Sequence, residues 1–360
     1  MSIEGDSPTL LPMTAYSTPT VTVLIPVHNR VGYIRDAIDS VLAQTFADFE
    51  LLIIDDASSD GSADAVASYR DPRLRLLRNE TNLGIPGSRN RGIDEARGEY
   101  LAFLDSDDRA RPERLARQVA FLRDHPDHAA VGSWIEWMSQ NGKPLGRIKR
   151  KAVAAEQIAA ERLFRSCLEN SAATARTAIL RRYRHRERIK LGSDYDLWAR
   201  IAADHKLAAL PHVLTYRRQH GGRSTHGRSE EIKAWRLQIF AEQLGALGLP
   251  YSADDLERHY ELRRMQKLPI RPDRAYLEWA QEWLQRLRAA NVHTLRYPEP
   301  AFSYLLGTFW LKACWYAAPV MGRHAWRCFW ASPLHTQAWP GLARLARTRF
   351  AAQLPGLSRP

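Results

Sequence analysis

YLAFLDSDDRARP (residues 100–112) carries an apolar run from Tyr100 to Leu104 and then sets three aspartates, Asp105, Asp107 and Asp108, within four positions. The apolar run reads as a buried strand, and a buried strand rarely ends on like charges that repel. Either the cluster is a solvated turn, or something positive lies against it. On an extended backbone residues i and i+2 point the same way, so Asp105 and Asp107 converge at the strand end. A divalent cation would relieve their repulsion and recruit phosphate oxygens, since hard cations bridge carboxylates to phosphate. An isolated D-x-D is more often a polar turn with Asp capping the next helix, so the flanking sequence decides.

Outward from this stretch the pattern alternates. VTVLIP (21–26) is a short β-branched run, followed by Ile34, Ile38, Val41 and Leu42 at helical spacing. ELLIID (50–55) and the more exposed RLRLLR (73–78) read as further strands. SADAVASY, IPGSRNRGIDEA and PERLARQVAFL (112–122, Pro in its first turn) read as helices. Strand–helix alternation over about 100 residues argues for parallel βαβ units with helices on both faces. In such sheets ligands bind at the carboxyl ends of the strands. The chemically loaded residues fall there: Pro26 to Asn29, Asp55 and Asp56, Asn79 to Gly84, and Asp105 to Asp108. Beyond residue 130 strands are expected near Ala129–Trp134, Ala173–Leu180 and Leu207–Arg217. GSDYDLWARIAA (192–203) reads as a helix start with Ser193 as N-cap. From Ser229 to about Ala290 the pattern predicts charged helices interrupted at Pro250 and Pro269–Pro272.

Composition narrows the function classes. A chain of 360 residues with 45% hydrophobic content holds one large domain or two ordinary ones. Its three cysteines, Cys167, Cys314 and Cys328, show neither CxxC spacing nor an even count, which points to a reduced, cytosolic-side protein. Residues 1–19 lack Lys, Arg and any long apolar block and read as a flexible leader, neither a signal peptide nor an anchor. A net charge of +12 predicts attraction to polyanions: nucleic acid, an anionic membrane or a phosphorylated substrate. No GxGxxG follows the first strand and no GxxxxGK[ST] occurs, which argues against a nicotinamide enzyme or a P-loop nucleotidase. A bound diphosphate would then need a carboxylate-held metal.

Taken together, VLIPVHNR, LLIIDDASSDGS, NETNLGIPGSRNRGI and YLAFLDSDDRARP resemble, in order and spacing, family 2 glycosyltransferases, over roughly residues 20 to 220. The resemblance implies an α/β GT-A fold, a Rossmann-like mixed sheet flanked by helices, here with a mainly helical C-terminal extension. It also implies an inverting enzyme using a nucleoside-diphosphate sugar, UDP being the expected nucleotide, with Mn²⁺ or Mg²⁺. Pro26, Val27, His28 and Asn29 would border the base and ribose. Asp56 would accept a hydrogen bond from the base, for which a uracil N–H is a suitable donor. Asp55 would either touch the nucleoside or hold the turn. Asn82, Gly84 and Arg89 match the segment beside the nucleotide; Arg89 would meet a phosphate or stand as an exposed helix arginine. Asp105 would meet ribose or metal, with Ser106 beside the nucleotide. Asp107 would bind the metal directly, and Asp108 would be a local structural residue.

GSDYDLWARI resembles the family's acidic pair ahead of an aromatic-rich helix, with Ser193 where the first acid is usual. The retained Asp194 would be the general base, and Asp196 is its in-sequence competitor. Trp198 reads as core, with stacking on the acceptor as the alternative. YRRQHGGRST (216–225) resembles a basic loop in which Arg217, His220 and Arg223 would close over the diphosphate, Gly221 and Gly222 permitting movement. The implied organisation is a catalytic domain over 20–228, nucleotide-binding to 110 and acceptor-binding from 111, then a helical, basic, aromatic-rich region over 229–360.

Residues 301–360 hold seven Lys/Arg, eleven aromatics and no Asp or Glu. YLLGTFWLKACWYAAPVMG (304–322) is broken by Lys312 and Pro319, a poor transmembrane span that suits either an interfacial element on an anionic membrane or an inward-packed helix. The expected location is cytoplasmic, at the inner face of the cell membrane if that element binds, and the expected acceptor is a glycan or a lipid-linked saccharide. Two rivals stand: a nucleic-acid-binding protein, suggested by RIKRK (147–151) and RRYRHRERIK (181–190), and a non-catalytic sugar-nucleotide-binding module. The first lacks any nucleic-acid module, and the second is disfavoured by Asp56, Asp105, Asp107 and Asp194 all being present.

Overall fold

In the computed structural model, which describes residues 18–222, 227–267, 271–340 and 343, the alternating half of the sequence forms four parallel strands. β1 (Val21–Val27), α1 (Val31–Leu42), β2 (Phe49–Asp55), α2 (Ser62–Ala67), β3 (Leu74–Arg78), α3 (Gly84–Glu95) and β4 (Tyr100–Phe103) follow one another, and the strands lie in the order β3-β2-β1-β4. The two-residue period of β1 and β2 divides their side chains between two cores. Val21, Val23, Ile25, Leu51 and Ile53 pack with Ile34, Ile38 and Val41 of α1. Leu24, Leu52 and Ile54 pack on the other face with Ile93 of α3. The approach of α3 to β1 depends on Gly92, where an added Cβ would lie 2.3 Å from the Leu24 side chain. The register pairs Val27 with Asp55 and Asp55 with Arg78, so the carboxyl ends of these strands finish level with one another.

Past β4 the sheet changes character. β5 (Arg109–Ala110), α4 (Arg114–Asp124), β6 (His128–Met138), β7 (Pro144–Lys149), α5 (Ala155–Glu161), β8 (Thr174–Arg176), α6 (Thr177–Tyr183), α7 (Ser193–Asp204) and β9 (Lys206–Arg218) complete a nine-stranded sheet ordered β3-β2-β1-β4-β8-β6-β9-β5, with β7 on β6. β8 runs antiparallel to both β4 and β6, whereas β6 and β9 are parallel. The strand expected over Ala173–Leu180 is therefore only three residues long. Arg176 pairs with Tyr100, the first residue of β4, and with no ladder partner beyond it the chain turns into α6. The N-cap of α7 also shifts by one residue: Gly192, at φ +86°, is the cap and Ser193 is the first helical residue.

α8 (Ser229–Ala246), α9 (Ala253–Leu262), α10 (Arg274–Thr294), α11 (Ala301–Met321) and α12 (Arg323–Ala331) form the helical region. The break at Pro250 is followed by a reciprocal Ser252–Asp255 capping box that starts α9; of the break at 269–272, residues 269 and 270 lie outside the described residues. α11 differs from an interfacial element. Phe302, Leu306, Phe309, Trp310, Ala313 and Ala317 recur at helical spacing and are buried in one core with α10, α12 and Phe164, which follows α5. Among the described residues no helix is long and apolar enough to cross a membrane.

Inside this core His259 is fully buried. Its Nε2 donates to the Leu163 carbonyl at 3.1 Å and its Nδ1 accepts from the Trp283 indole at 3.0 Å, which fixes a neutral imidazole. Burial lowers its pKa to about 4 from an ordinary 6.5. Stability from this group is therefore complete above pH 6.5 and falls as pH drops towards 4, where only the unfolded chain gains the proton. Over that window the loss amounts to about 3 kcal/mol. Urea unfolding of the intact protein between pH 7.5 and pH 4.5 should show this decline, and His259→Gln should flatten it while lowering stability at neutral pH.

Candidate active site

The carboxyl ends of β1, β2 and β4 open into a cavity of about 460 Å³, closed on the far side by residues of β6, the loop before β8, the start of α7 and the end of β9. This lies within the size range of small-molecule sites. Of the residues singled out in the sequence, Pro26, Val27, His28, Asp56, Asn82, Gly84, Arg89, Asp105, Ser106, Asp107, Asp194 and Arg217 line it. Asn29 does not; it sits at φ +50° and accepts from the Ser59 amide at 2.9 Å, fastening the loop after β2. Arg223 lies outside the described residues. The segments flanking it return to the cavity, since Gly222 accepts from Arg30 at 2.7 Å and both Arg30 and Arg228 are lining residues.

The nucleotide-side wall is tied to one carboxylate. Asp56 accepts from the backbone amides of Leu83 and Gly84 at 2.8 and 2.9 Å and from the Asn79 amide at 2.6 Å. Its carbonyl lies 2.7 Å from Nδ1 of His28, which donates to it. A carboxylate has about four lone-pair sites, so Asp56 fastens the 79–84 loop and keeps one acceptor position. Asp55 takes the turn-holding alternative: fully buried, it accepts from the Ser58 amide at 3.3 Å and from Arg78 at 3.2 Å.

The aspartate turn of residues 105–108 is enclosed by arginines, of which the sequence reading singled out Arg89 but neither Arg114 nor Arg218. Arg89 is buried and donates to Asp105 at 2.8 Å, so it is no exposed helix arginine and Asp105 is already engaged by a cation. Arg218 donates its backbone amide to Asp108 at 3.0 Å and its side chain to the Asp107 carbonyl at 2.8 Å. Arg114, 1% exposed, donates to the carbonyls of Phe103 and Ser171 at 2.7 and 2.9 Å from directly beneath. Burial draws its pKa down to about 10, against the upward pull of Asp108 and Asp105. Burial, reinforced by the charges of Asp107 and Asp105, pushes Asp108 well above the usual carboxylate range, in keeping with a structural residue. Arg114 was legible as a polar residue on the inward face of α4, one turn from the equally buried Gln118.

Asp107 keeps a different partner. Its Oδ2 lies 2.8 Å from Nε2 of His220, a buried histidine and not a surface one. The Asp107 carboxylate at the cavity wall is a donor that suits Mn²⁺ or Mg²⁺, which commonly take one or two protein carboxylates and complete their shell with phosphate oxygens, while the His220 imidazole orients that carboxylate from behind the lining. The described residues hold no cluster of three or more His, Cys, Asp or Glu side chains that could bind a metal alone, so the fit is to a metal brought together with a diphosphate.

Across the cavity Arg217 pairs with Glu169 at 2.9 Å, and Lys149 and Lys151 share the other Glu169 oxygen at 2.6 and 3.2 Å. Burial opposes ionisation of Glu169, but the three cations hold it well below its usual range. Burial likewise opposes the charge on Arg217, and the carboxylates of Glu169, Asp108, Asp105 and Asp194 outweigh it. The two rival bases separate cleanly. Asp196 is buried and paired with Arg200 at 2.8 Å and Arg186 at 3.2 Å. Asp194 lines the cavity and, among the described residues, accepts no hydrogen bond and forms no ion pair. Trp198 is fully buried, edge-on to Phe103, and so belongs to the core.

The succinoglycan biosynthesis protein ExoO of Rhizobium meliloti is 31% identical over 291 residues, which cover 77% of this chain and 81% of that one. The model of the family described as glycosyl transferase family 2 matches residues 22–186. The chain belongs to glycosyltransferase family 2. A second relative of this glycosyltransferase, the UDP-Glc:alpha-D-GlcNAc-diphosphoundecaprenol beta-1,3-glucosyltransferase WfgD of Escherichia coli, is 32% identical over 53% of this chain and 72% of its own. Among solved structures, S. aureus TarS (residues 1–349) in complex with UDP-GlcNAc aligns with a TM-score of 0.54 at 16% identity, covering 94% of this chain and 93% of TarS. Mannosyltransferase PcManGT from Pyrobaculum calidifontis, in complex with GDP-Man and Mn²⁺, aligns at 0.50 and 18% identity over 94% and 89%. These likenesses show the GT-A fold. The basic runs that suggested nucleic acid are largely occupied within the glycosyltransferase: Arg184 pairs with Asp94, and Arg186 and Arg188 with Glu242.

Asp196→Asn should destabilise the protein by about 1–3 kcal/mol in urea unfolding, because two guanidinium groups lose their buried acceptor. Nucleoside-diphosphate affinity of the folded protein should stay unchanged.

Proposed function

We propose that this family 2 enzyme moves a sugar from a nucleoside-diphosphate donor, with UDP the favoured nucleotide, to a hydroxyl of a glycan or lipid-linked saccharide, inverting the anomeric centre. The observation that carries this reading is Asp194. Every other cavity carboxylate, Asp56, Asp105, Asp107, Asp108 and Glu169, already has a partner, whereas Asp194 is unpaired among the described residues. An unpaired carboxylate facing a substrate cavity is suited to take a proton.

In the proposed reaction the acceptor oxygen attacks the anomeric carbon from the face opposite the diphosphate. The C–O bond to the diphosphate breaks as the new glycosidic bond forms, and the acceptor proton passes to an Asp194 oxygen. Asp56 and the loop it fastens hold the base and ribose. Arg217 faces the developing charge of the leaving diphosphate. Asp107, oriented by its contact with His220, would hold a divalent ion, which when bound neutralises the diphosphate charge. A role in polysaccharide or cell-envelope glycan assembly is supported by the likeness to ExoO, a succinoglycan biosynthesis protein, and to WfgD, a diphosphoundecaprenol-saccharide glucosyltransferase.

The test is release of nucleoside diphosphate from a panel of sugar nucleotides, with saccharide acceptors and with or without Mn²⁺. Asp194→Asn should keep nucleotide affinity near wild type and lower transfer by about 10²–10⁴-fold. Turnover within a few-fold of wild type would remove Asp194 from the role. Asp107→Asn should mimic chelation, lowering turnover while the thermal midpoint barely moves. Full activity in chelator would exclude the metal.

A further inference from the structure

We propose that the outer face of α12, with the adjoining flank of α11, docks on an anionic lipid surface. The protein has eleven tryptophans, and among the described residues only Trp315, Trp330 and Trp339 are exposed, at 63, 57 and 52%. Trp315 belongs to α11, Trp330 to α12 and Trp339 to the residues that follow α12. They form a continuous aromatic arc: Trp315 meets Trp326 at 6.0 Å, Trp326 meets Phe329 at 6.1 Å, Phe329 meets Trp330 at 5.1 Å, and Trp330 meets Trp339 at 6.4 Å between ring centroids.

On α12 the spacing sorts the side chains. Arg323, Trp326, Arg327 and Trp330 stand at i, i+3, i+4 and i+7, one stripe of the helix, while Ala325 and Phe329 are buried in the core. Arg323 and Arg327 are exposed and form no ion pair among the described residues. No acidic residue follows Glu299 in the sequence, so none within the stripe's own segment offsets its charge.

Large exposed aromatics contribute nothing to stability in water and form a hydrophobic patch that calls for a partner. Tryptophan is enriched where an apolar phase meets water, and arginines beside it attract anionic headgroups. A bilayer surface supplies both the apolar depth and the negative charge. The docking element is thus the outer stripe of α12, while α11, the most apolar segment of the sequence, serves as core. Removing everything beyond residue 300 would take that core away, so surface substitutions are the proper probes.

The test is co-sedimentation of the full-length protein with vesicles containing phosphatidylglycerol, compared with pure phosphatidylcholine, at low and high salt. The protein should pellet with the anionic vesicles at low salt and be released by high salt. Arg323→Glu/Arg327→Glu should weaken partitioning by roughly 25-fold or more, since each basic residue near such a surface is worth about fivefold. Trp315→Ser/Trp330→Ser should weaken it by a comparable factor. Both variants should keep the wild-type thermal midpoint and nucleoside-diphosphate affinity, which separates loss of docking from loss of the fold or of the transferase site. No partitioning at low salt, or partitioning indifferent to both double variants, would overturn the proposal. So would self-association in sedimentation velocity that disappears in the Trp315→Ser/Trp330→Ser variant, which would assign the face to a second copy. RNA binding that disappears in the arginine variant without any vesicle binding would assign it to nucleic acid.

Discussion

Three aspartates at the end of one strand are a problem of charge before they are a site, and four arginines solve it. Arg89 of α3 and Arg218 of β9 bond the 105–108 turn directly, Arg114 of α4 binds the carbonyls beside it, and Arg217 of β9 acts on it only through its charge. Arg114 matters most, because one guanidinium binds the last carbonyl of β4 and the carbonyls of the loop before β8. Through Gln118, which donates to the Ala172 carbonyl at 2.8 Å, the same helix face fixes where β8 begins. Taking a charge this deep is costly unless it is fully hydrogen-bonded, and here the donors are aimed at backbone and neighbouring side-chain oxygens that the sheet presents.

That arrangement explains the division of the fold. The parallel half has its strand ends level, with the loop after β3 stitched to Asp56, so it forms one shaped wall of the cavity. β8, short and antiparallel, then lets β6 and β9 come round to the other side of the cavity, carrying Arg217 and His220 to the same edge as Asp107. The helical region rests on α5 and the following residues Leu163 and Phe164, and through Phe240 and Tyr260 on Tyr195 and Ala199 of α7, so its cores continue the fold.

How much of this could be read from the chain depends on the range of the interaction. The alternation of β1 to β4 with their helices was legible because strand and helix periods are local, and the two-faced burial of β1 follows from its own residues. The convergence of Asp56, Asp105, Asp107 and Asp194 on one cavity was legible through the resemblance of their motifs to the family's. What was not legible involves partners far apart in sequence. Asp107 meets His220 across 113 positions, and Arg217 meets Glu169 across 48. The choice between Asp194 and Asp196 turns on Arg186 and Arg200, which nothing in a ten-residue motif reveals. α11 stayed open in the sequence for a physical reason: an apolar helix with one lysine looks alike whether its stripe faces lipid or Phe164, and only the neighbouring helices decide.

The pairing of Arg217 with Glu169 has a consequence for how charge enters the cavity. Lys149, Lys151 and Arg217 are not bare cations awaiting an anion; each already leans on one buried carboxylate. A ligand that reaches Arg217 must compete with Glu169, so binding there is an exchange of partners and not a capture. Exchange is discriminating. A small, weakly charged anion such as chloride gains little by displacing a 2.9 Å ion pair, whereas a diphosphate oxygen with comparable charge can take its place. The resting cavity is thus guarded by its own internal counter-ion against the commonest anions in water.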